Sequence, residues 1–305
     1  MRNKILLFIL VVLIAVYSYI RSFENKTSFF NENENIISYK DTTTNDIISM
    51  EVEDYLIGVL AGEMPASFNI EALKAQAVAS RTFAYYKINT SSGNYDLTND
   101  TTSQVHITDE EMKRKWQDNY EFYKNKIIEA INSTKNEVLT FNDKVISSYY
   151  FAMSNGYTEN ASFVFSEAKD YLKSVESQED TNNKNFEVTK KISKSEFCNL
   201  LNIECNTIMI TNVTRTDSNR INTLTINNKL FTGIELRKKL SLRSTDFSIK
   251  EKDNDIYITT KGYGHGVGMS QYGANNMANK GYNYKEILYH YYQNTELKNI
   301  NSINV

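Results

Sequence analysis

Cysteine is scarce in this chain of 305 residues, and both copies, Cys198 and Cys205, lie in the single segment SEFCNLLNIEC. Two cysteines cannot build the multi-bridge framework of small disulfide-rich domains. If the segment is one helix, the two residues share a face but lie too far apart along the axis to be joined. The sequence therefore predicts two partly buried free thiols.

A strong excess of charge of either sign is also absent. The chain has 34 lysines and arginines against 37 acidic residues, which gives a formal net charge of -3. A protein that attracts nucleic acid through its overall field is strongly basic, so nucleic acid is not an expected partner. Hydrophobic residues make up 41% of the chain, which is ordinary for a folded domain and argues against large-scale disorder.

The signatures of nucleotide and metal sites are missing from the glycine-rich segment GYGHGVGMSQYGA, residues 262–274. Its glycine spacing is not G-x-G-x-x-G, and no Lys-Ser or Lys-Thr pair follows as in a P-loop. No H-E-x-x-H motif or cysteine pair accompanies His265, so no cofactor is expected. Alternating glycines permit positive φ angles and close approach of a ligand. We expect a loop that brings His265, Ser270 and Gln271 to a cleft for a polyhydroxylated ligand.

The long apolar run ILLFILVVLIAVYSYI, residues 5–20, carries no charge. It would span roughly 24 Å as a helix, enough for a membrane anchor. A cleaved signal peptide is the alternative, but no A-x-A cleavage site is visible. Arg2 and Lys4 precede the run, so the positive-inside rule places the N-terminus in the cytoplasm and the rest of the chain outside. The predicted organisation has three parts: an anchor over 1–21, a polar tether over 22–48 and a folded domain over 49–305.

Strands and helices are predicted in an irregular order. Asn69 or Ser67 can cap a helix over IEALKAQAVASRTFAYYK. EVLTFNDKVISSYY alternates like a hairpin that turns at Asn142-Asp143. ISMEVEDYLIGVLAGEMP is predicted to begin as a strand and to turn at Pro65, the only proline. Without a regular βαβ rhythm, an α+β fold is favoured over a doubly wound sheet. Further helices are predicted at KIIEAINSTK, KSEFCNLL, GIELRKKL and NYKEILYHYY.

Glu63 lies in AGEMPASFN, in the predicted turn before the strongest helix. Its carboxylate would lie either near the positive end of the helix dipole, which lowers the pKa, or among Leu60, Met64 and Phe68, which raises it by desolvation. Only the second environment gives a general acid at neutral pH. A capping or salt-bridging role is the alternative, and Arg81 is then a partner for Glu63 or a ligand for a substrate.

Several segments, in order, resemble the stage II sporulation protein D family: VEDYLIGVLAGEMPASFNIEALKAQAVASRTFAYY, TTSQVHI, SNGYTE, DYLKSV and GYGHGVGMSQYGA. The resemblance runs from about residue 50 to residue 295. It implies a membrane-anchored lytic transglycosylase that cuts peptidoglycan during forespore engulfment, with two lobes around a substrate groove. It also implies that Glu63 is the catalytic acid/base. The implied substrate contacts are Arg81, Tyr171 and Lys173, with Gln104, His265 and Gln271 lining the same groove.

The implied mechanism needs one carboxylic acid, whereas an ordinary glycosidase needs two. The acid first protonates the glycosidic oxygen and then takes the proton of the sugar's own 6-hydroxyl, which leaves a 1,6-anhydro-MurNAc end. We therefore predict a neutral, buried Glu63 with no direct ion pair to Arg81. Some relatives hold zinc through histidines and cysteines near the Gln104 segment. This chain has His106 there but no cysteine, so no metal is predicted.

The resemblance further implies partners. The implied substrate is a peptide-stripped glycan strand. The implied protein partners are a sporulation amidase and a multi-spanning membrane protein of the same engulfment machinery. The alternative is a non-catalytic activator that binds glycan or a cell-wall amidase, because the family's domain also occurs in amidase enhancers. A sugar product distinguishes the first function from the second.

Overall fold

The computed structural model describes residues 35–165 and 167–303. The predicted membrane anchor at residues 5–20 lies outside this part of the chain, as does the first part of the predicted tether. Within the described residues, no helix combines the length and the apolar character that crossing a membrane requires.

Helices dominate the described chain up to residue 132, and several begin at a side chain that accepts a backbone N–H bond. Asn69, one of the two predicted caps, accepts the N–H of Glu71, while Thr108 and Asn283 form capping boxes. The helices are α1 (Val52–Glu63), α2 (Ile70–Thr90), α3 (Asp109–Trp116), α4 (Tyr120–Asn132), α5 (Ala161–Phe165), α6 (Lys194–Leu201), α7 (Gly233–Lys239), α8 (Gln271–Asn279) and α9 (Tyr284–Tyr291), with 3-10 turns at Gln117–Asn119, Gln178–Asn182 and Ile300–Ser302.

The strands form five small sheets in the described part of the chain, which confirms the predicted α+β class. The strands are β1 (Ile36–Lys40), β2 (Ile47–Glu51), β3 (Leu97–Thr98), β4 (Glu137–Phe141), β5 (Lys144–Val145), β6 (Tyr150–Phe151), β7 (Glu187–Ser193), β8 (Ile210–Arg215), β9 (Ile221–Ile226), β10 (Lys229–Thr232), β11 (Phe247–Lys252), β12 (Asp255–Lys261), β13 (Met269–Ser270) and β14 (Glu296–Asn299). The sheet orders are β2-β1-β3, β14-β4-β5, β13-β6, β11-β12-β7 and β10-β9-β8. The predicted hairpin turn is confirmed, because Asn142 and Asp143 join β4 to β5 with φ angles of 50° and 61°.

Three hydrophobic cores hold these elements together. The long helix α2 contributes to two of them: one core is shared with α8, α9 and β4, and the other with α1, α4 and β1. The third core is built from residues between 192 and 258 alone, on strands β7 and β9–β12 with α6 and α7. The expected arrangement as two lobes around a groove remains a prediction.

The prediction for the segment before Pro65 was wrong in its second half. A strand, β2, does occupy residues 47–51, but Val52–Glu63 form helix α1 where a continued strand was expected. The expected turn does follow at Pro65, whose carbonyl accepts the N–H of Phe68. Val52, Tyr55, Leu56 and Val59 form one buried face, and Gly58 and Ala61 are buried on other sides of the helix. A helix buried on most sides shows little amphipathic periodicity, which is why the sequence pattern did not indicate it.

Cys198 and Cys205 form a disulfide, which corrects the predicted pair of free thiols. Helix α6 ends at Leu201, and Asn202 takes the left-handed conformation with φ 51°. The chain therefore turns back and brings the two cysteine Cα atoms to 5.5 Å, within the range of a disulfide. The spacing argument failed because the helix does not reach Cys205.

The predicted tether does not extend to residue 48. β1 and β2 pair as an antiparallel hairpin from Ile36 opposite Glu51 to Lys40 opposite Ile47. Ile37 and Tyr39 are buried in the core around α1. The folded part of the chain thus begins before residue 49.

Candidate active site

A cleft of about 470 Å³ opens beside the C-terminal end of α1, with β6 and the glycine-rich loop on its other sides. Three of the predicted site residues line it: Glu63, His265 and Gln271. They come from distant parts of the chain, so the fold brings together what the motifs suggested. Thr101, Thr102 and Ser103, just before Gln104, form a hydroxyl-rich rim.

Glu63 is the last residue of α1 and is half-buried in the wall of the cleft. Burial raises the pKa of Glu63 from 4.5 to about 7, although hydrogen bonds from the Val105 N–H and from Gln271 act in the opposite direction. The Val105 bond is 2.7 Å long and ends on Oε1. The C-terminal end of a helix carries partial negative charge, which also disfavours an ionised carboxylate. Of the two environments considered for Glu63, the structure has the desolvated one.

A network of amides and hydroxyls holds Gln271 and the floor below Glu63. Gln271 donates to Gln76 Oε1 at 3.4 Å, and Gln76 donates to Ser80 Oγ at 2.9 Å. Gln104 Nε2 donates to the Tyr150 hydroxyl at 3.0 Å. Because Gln104 is fully buried, it supports the cleft from below and is not on its surface. The network contains no ion to neutralise Glu63, so the carboxyl group keeps its raised pKa.

The glycine-rich loop packs against β6 through backbone conformations that side chains rarely adopt. Gly264 and Gly268 have φ angles of 117° and 78°. A Cβ on Gly268 would lie 1.9 Å from the Tyr149 carbonyl oxygen, and one on Gly264 would lie 2.7 Å from Phe151 Cβ. The glycines are therefore required for the loop to approach β6, where β13 pairs in parallel with Tyr150 and Phe151. This pairing positions His265 and Gln271 opposite Glu63 in the cleft wall.

His265 is a neutral imidazole in the structure. Burial lowers its pKa to about 3, and the positive charges of Arg237 and Arg220 act in the same direction. Its Nδ1 accepts the N–H of Val267 at 3.0 Å, and a further hydrogen bond joins the ring to the backbone of Tyr150. These bonds fix the ring in the loop, so His265 orients the cleft wall and is not a proton carrier near pH 7.

Aromatic rings form the wall opposite the hydroxyl-rich rim. Tyr149 stacks on Phe165 with ring centroids 4.2 Å apart, and His265 lies 5.6 Å from both Phe151 and Phe165. Flat apolar surfaces of this kind pack against the faces of sugar rings. The lining also includes Phe83, Tyr150, Tyr263 and Arg237.

Arg81 does not reach the cleft. Its side chain is fully buried and pairs with Glu53 at the other end of α1. Ten helical residues separate Glu53 from Glu63, which is about 15 Å along the axis. The remaining guanidinium N–H groups bond to the Ile131 and Glu137 carbonyls. Arg81 is therefore too far from the cleft for the expected contact with a substrate. Its pairing with Glu53 agrees with the expectation that Arg81 and Glu63 form no direct ion pair.

Three other predicted contact residues also lie away from the cleft lining. Tyr171 is buried in the core of α2 and α8, with its hydroxyl 3.1 Å from Ser147 Oγ. Lys173 is exposed and pairs with Asp170 at 3.2 Å. Ser270 caps α8 and donates to the buried Asp180 at 2.7 Å. Ser270 therefore fixes the end of the glycine-rich loop, and the structure gives it no direct route to a ligand.

Sequence reasoning missed part of the lining. Arg237 gave no signal, because it lies in the predicted helix GIELRKKL beside two further basic residues, Lys238 and Lys239. Phe165 and Tyr263 read as ordinary aromatic residues. Thr101 and Thr102 are the first two residues of the TTSQVHI motif, and their position near Gln104 was the available indication.

His106 is a packing residue in the structure. Its ring stacks on Tyr55 with centroids 5.2 Å apart and touches Tyr39 at 4.9 Å. Within residues 35–165 and 167–303, no group of three or more His, Cys, Asp and Glu side chains is arranged to hold a metal ion.

Comparison with known proteins gives a match to the Stage II sporulation protein family over residues 40–141. This range contains Glu63, Arg81 and Gln104, but the glycine-rich loop lies beyond it. The chain is 40% identical over 263 residues to stage II sporulation protein D of Bacillus subtilis (strain 168), which covers 84% of this chain and 77% of that protein. It is 39% identical over 268 residues to stage II sporulation protein D of Bacillus amyloliquefaciens, covering 86% and 78%.

A further similarity is to the amidase enhancer of Bacillus subtilis (strain 168). The identity is 30% over 299 residues, which covers 79% of this chain and 40% of that protein. The amidase enhancer is thus considerably longer than the region it shares with this chain.

Proposed function

The chain belongs to the stage II sporulation protein D family, and on that premise we propose that it is a peptidoglycan lytic transglycosylase of sporulating cells. It cleaves the bond between MurNAc and GlcNAc in peptide-stripped glycan strands during forespore engulfment. The supporting observation is Glu63, a carboxylic acid whose pKa burial raises to about 7 inside a cleft lined with aromatic and hydroxyl groups. A group with that pKa can give and take a proton near neutral pH.

Two proton transfers through Glu63 complete the reaction. In the first, Glu63 gives its proton to the glycosidic oxygen, the bond from MurNAc C1 to that oxygen breaks, and GlcNAc leaves with a hydroxyl. In the second, the 6-hydroxyl oxygen of the same MurNAc bonds to C1 and its proton passes to the Glu63 carboxylate. No water is consumed, and Glu63 regains its proton. The Val105 N–H and Gln271 stabilise the carboxylate between the two steps.

The absence of a second acid in the described lining supports this route over hydrolysis. Glu63 is the one carboxylate among the described residues that line the cleft. An inverting or retaining glycosidase needs a second carboxylate to activate water or to attack C1. A 6-hydroxyl attack needs no such group.

The proposed location is outside the cytoplasm, on a single N-terminal anchor. The Cys198–Cys205 disulfide supports it, because disulfides persist in oxidising surroundings and are rare in the cytosol. In that location the cleft faces the cell wall. We propose that an amidase, which exposes stripped strands, and a multi-spanning membrane protein act in the same complex.

A second candidate is a non-catalytic activator of a cell-wall amidase. The similarity to a protein named amidase enhancer favours it. In that case the cleft would bind glycan without cutting it, and Glu63 would serve only as a hydrogen-bond donor.

Mass spectrometry of the products from peptide-stripped strands separates the two candidates. We expect the full-length protein in detergent to release 1,6-anhydro-MurNAc ends, and Glu63→Gln to release none. Reducing ends in place of anhydro ends would mean hydrolysis and a different mechanism. No sugar product, together with faster cleavage by an added amidase, would replace the proposal with the activator function.

A further inference from the structure

Arg237 is the one cationic side chain among the described residues that line the cleft. It lies in the last turn of α7 and is half-buried, so its guanidinium has lost part of its hydration. Its field reaches the glycine-rich loop, because it contributes to the lowered pKa of His265. With Glu63 protonated, the charge of Arg237 makes the empty cleft positive.

The guanidinium of Arg237 forms no hydrogen bond or ion pair with residues 35–165 or 167–303. This contrasts with Arg81, whose charge is neutralised by Glu53, and with Arg215, which pairs with Asp246 at 3.1 Å. Its neighbours in the lining are Tyr263 and His265, and the ring of Tyr263 is already covered on one face by Arg243 at 4.7 Å. A half-buried, unpaired guanidinium presents planar donors that match a carboxylate.

Among the functional groups of a peptide-stripped glycan strand, the lactyl group of MurNAc is the acidic one. While a stem peptide is attached, this carboxyl group is an amide and carries no charge. After the peptide is removed, each MurNAc has one free carboxylate on the ether at C3, close to the ring that reacts. The chemistry of the ligand and the unpaired charge of Arg237 are therefore complementary.

We propose that Arg237 binds the free lactyl carboxylate of MurNAc and makes the protein selective for strands that have lost their stem peptides. This inference rests on the proposed function, because it needs glycan in the cleft. Arg237 is a specificity-determining residue in this scheme, and Glu63 carries the chemistry. The ion pair forms only when substrate arrives, which offsets the partial desolvation of the guanidinium.

The test compares two forms of one substrate: stripped strands with free lactyl carboxylates, and the same strands after conversion of these groups to primary amides. The amide keeps the shape and removes the charge. We expect Arg237→Gln to lower kcat/KM on the free strands by about 10- to 100-fold, the effect of losing a charged bidentate contact. On amidated strands, we expect the variant and the parent protein to agree within about twofold.

The matched control is Lys238→Gln, which removes a positive charge from the next, exposed position of α7 and should leave both rates unchanged. Arg237→Lys should keep part of the selectivity through its charge. If Arg237→Gln does not fold, the parent protein still tests the inference, because its own kcat/KM should be higher on free strands than on amidated strands by a similar factor. Equal loss on both substrates, or no preference in the parent protein, overturns the inference.

Binding measured in the Glu63→Gln background separates this inference from the proposed function. Calorimetric titration with free and amidated strands should show the same preference without any cleavage, and Arg237→Gln should abolish it. If the parent protein makes no sugar product while the preference persists, the transglycosylase fails and the carboxylate site stands. Peptide-bearing strands, whose carboxylates lie on the peptide, should bind no better than amidated strands. If they bind more tightly and the gain depends on Arg237, then Arg237 contacts the peptide, and the proposed contact with the lactyl carboxylate is wrong.

Discussion

Arg81 and Glu53 form a bidentate ion pair in which the Nε–Oε1 and Nη2–Oε2 distances are both 2.8 Å. The arginine is fully buried, and 21% of the glutamate side chain is exposed. Because the pair joins α1 to α2, it holds the helix that carries Glu63 against the longest helix of the fold. Its function is to position α1.

Glu53→Gln should therefore cost stability and leave the chemistry of the folded protein intact. Breaking the pair leaves a buried charge without its partner, and we expect the free energy of unfolding to fall by roughly 3 kcal/mol. Urea unfolding measures this loss. Lys280→Gln in the exposed Lys280–Glu179 pair is the control and should cost under about 1 kcal/mol. A large drop in kcat for fully folded Glu53→Gln would instead give the pair a direct part in the reaction.

The rate of glycan cleavage should depend on the protonation of Glu63. The acid must carry its proton to start the reaction, and its pKa is raised to about 7. We expect kcat/KM to be constant below pH 7 and to fall about tenfold per unit above it. His265, with a pKa of about 3, adds no second step in this range. A flat profile between about pH 5 and 9 would exclude Glu63 as the acid.

Glu63→Gln should be more stable than the parent protein in alkaline solution. The pKa of Glu63 is about 7 in the folded protein against its ordinary 4.5, so the folded state holds the proton more tightly than the unfolded state. Stability from this group is fully present below pH 4.5 and is lost as the pH rises to 7. The amide does not titrate, so the variant should gain roughly 1 to 3 kcal/mol above pH 8 and nothing near pH 4. Denaturation curves at the two pH values make the comparison, and an equal effect at both would contradict the raised pKa.

Gly268→Ala should destabilise the protein far more than alanine at Gly281 or Gly93. Its Cβ would overlap the Tyr149 carbonyl oxygen, and its φ of 78° is unfavourable for alanine. We expect a loss of more than about 3 kcal/mol. Gly281→Ala has a φ of 95° but open space, so strain alone should cost about 1 kcal/mol. Gly93→Ala, with neither constraint, should change the melting temperature little. Similar shifts for all three would mean that the loop does not need its close contact with β6.

Reduction of the Cys198–Cys205 disulfide should lower stability without loss of activity. The bond closes a short loop, so its removal should cost about 2 kcal/mol. No residue between 198 and 205 lines the cleft. A Cys198→Ala, Cys205→Ser double variant should therefore cleave glycan normally when folded, and its melting temperature should not respond to a reductant. A variant that folds and yet loses activity would connect this loop to the cleft.

The sequence indicated the fold best where local chemistry decides the structure. Asn69 capped the predicted helix, and the Asn142-Asp143 turn joined the predicted hairpin. It failed at Val52–Glu63, because burial on most faces removes the amphipathic pattern. It also failed at Cys205, because the end of α6 depends on a single residue, Asn202, in a left-handed conformation.

In the candidate site too, the sequence indicated features that local chemistry decides and missed features that depend on tertiary packing. Adjacent residues suggested the desolvated environment of Glu63 as one of two possibilities, and burial in the folded chain is what raises its pKa. Arg81 and Glu53 lie 28 positions apart, and their pairing depends on how two helices pack. Arg237 lines the cleft because α7, which packs into the third core, lies beside it. This placement depends on tertiary packing, so neither the neighbours of Arg237 in sequence nor its charge distinguished it from Lys238 and Lys239.

The residues that line the cleft are synthesised at different times. Its walls are drawn from residue 62 to residue 271, so Glu63 is synthesised long before the glycine-rich loop that lines the same cleft. In a chain that has emerged only as far as β12, Gln271 and the loop are missing from the cleft, so we expect Glu63 to be closer to water and more acidic than in the folded protein. Under the proposed function, cleavage of glycan therefore needs the glycine-rich loop to have been made as well as α1.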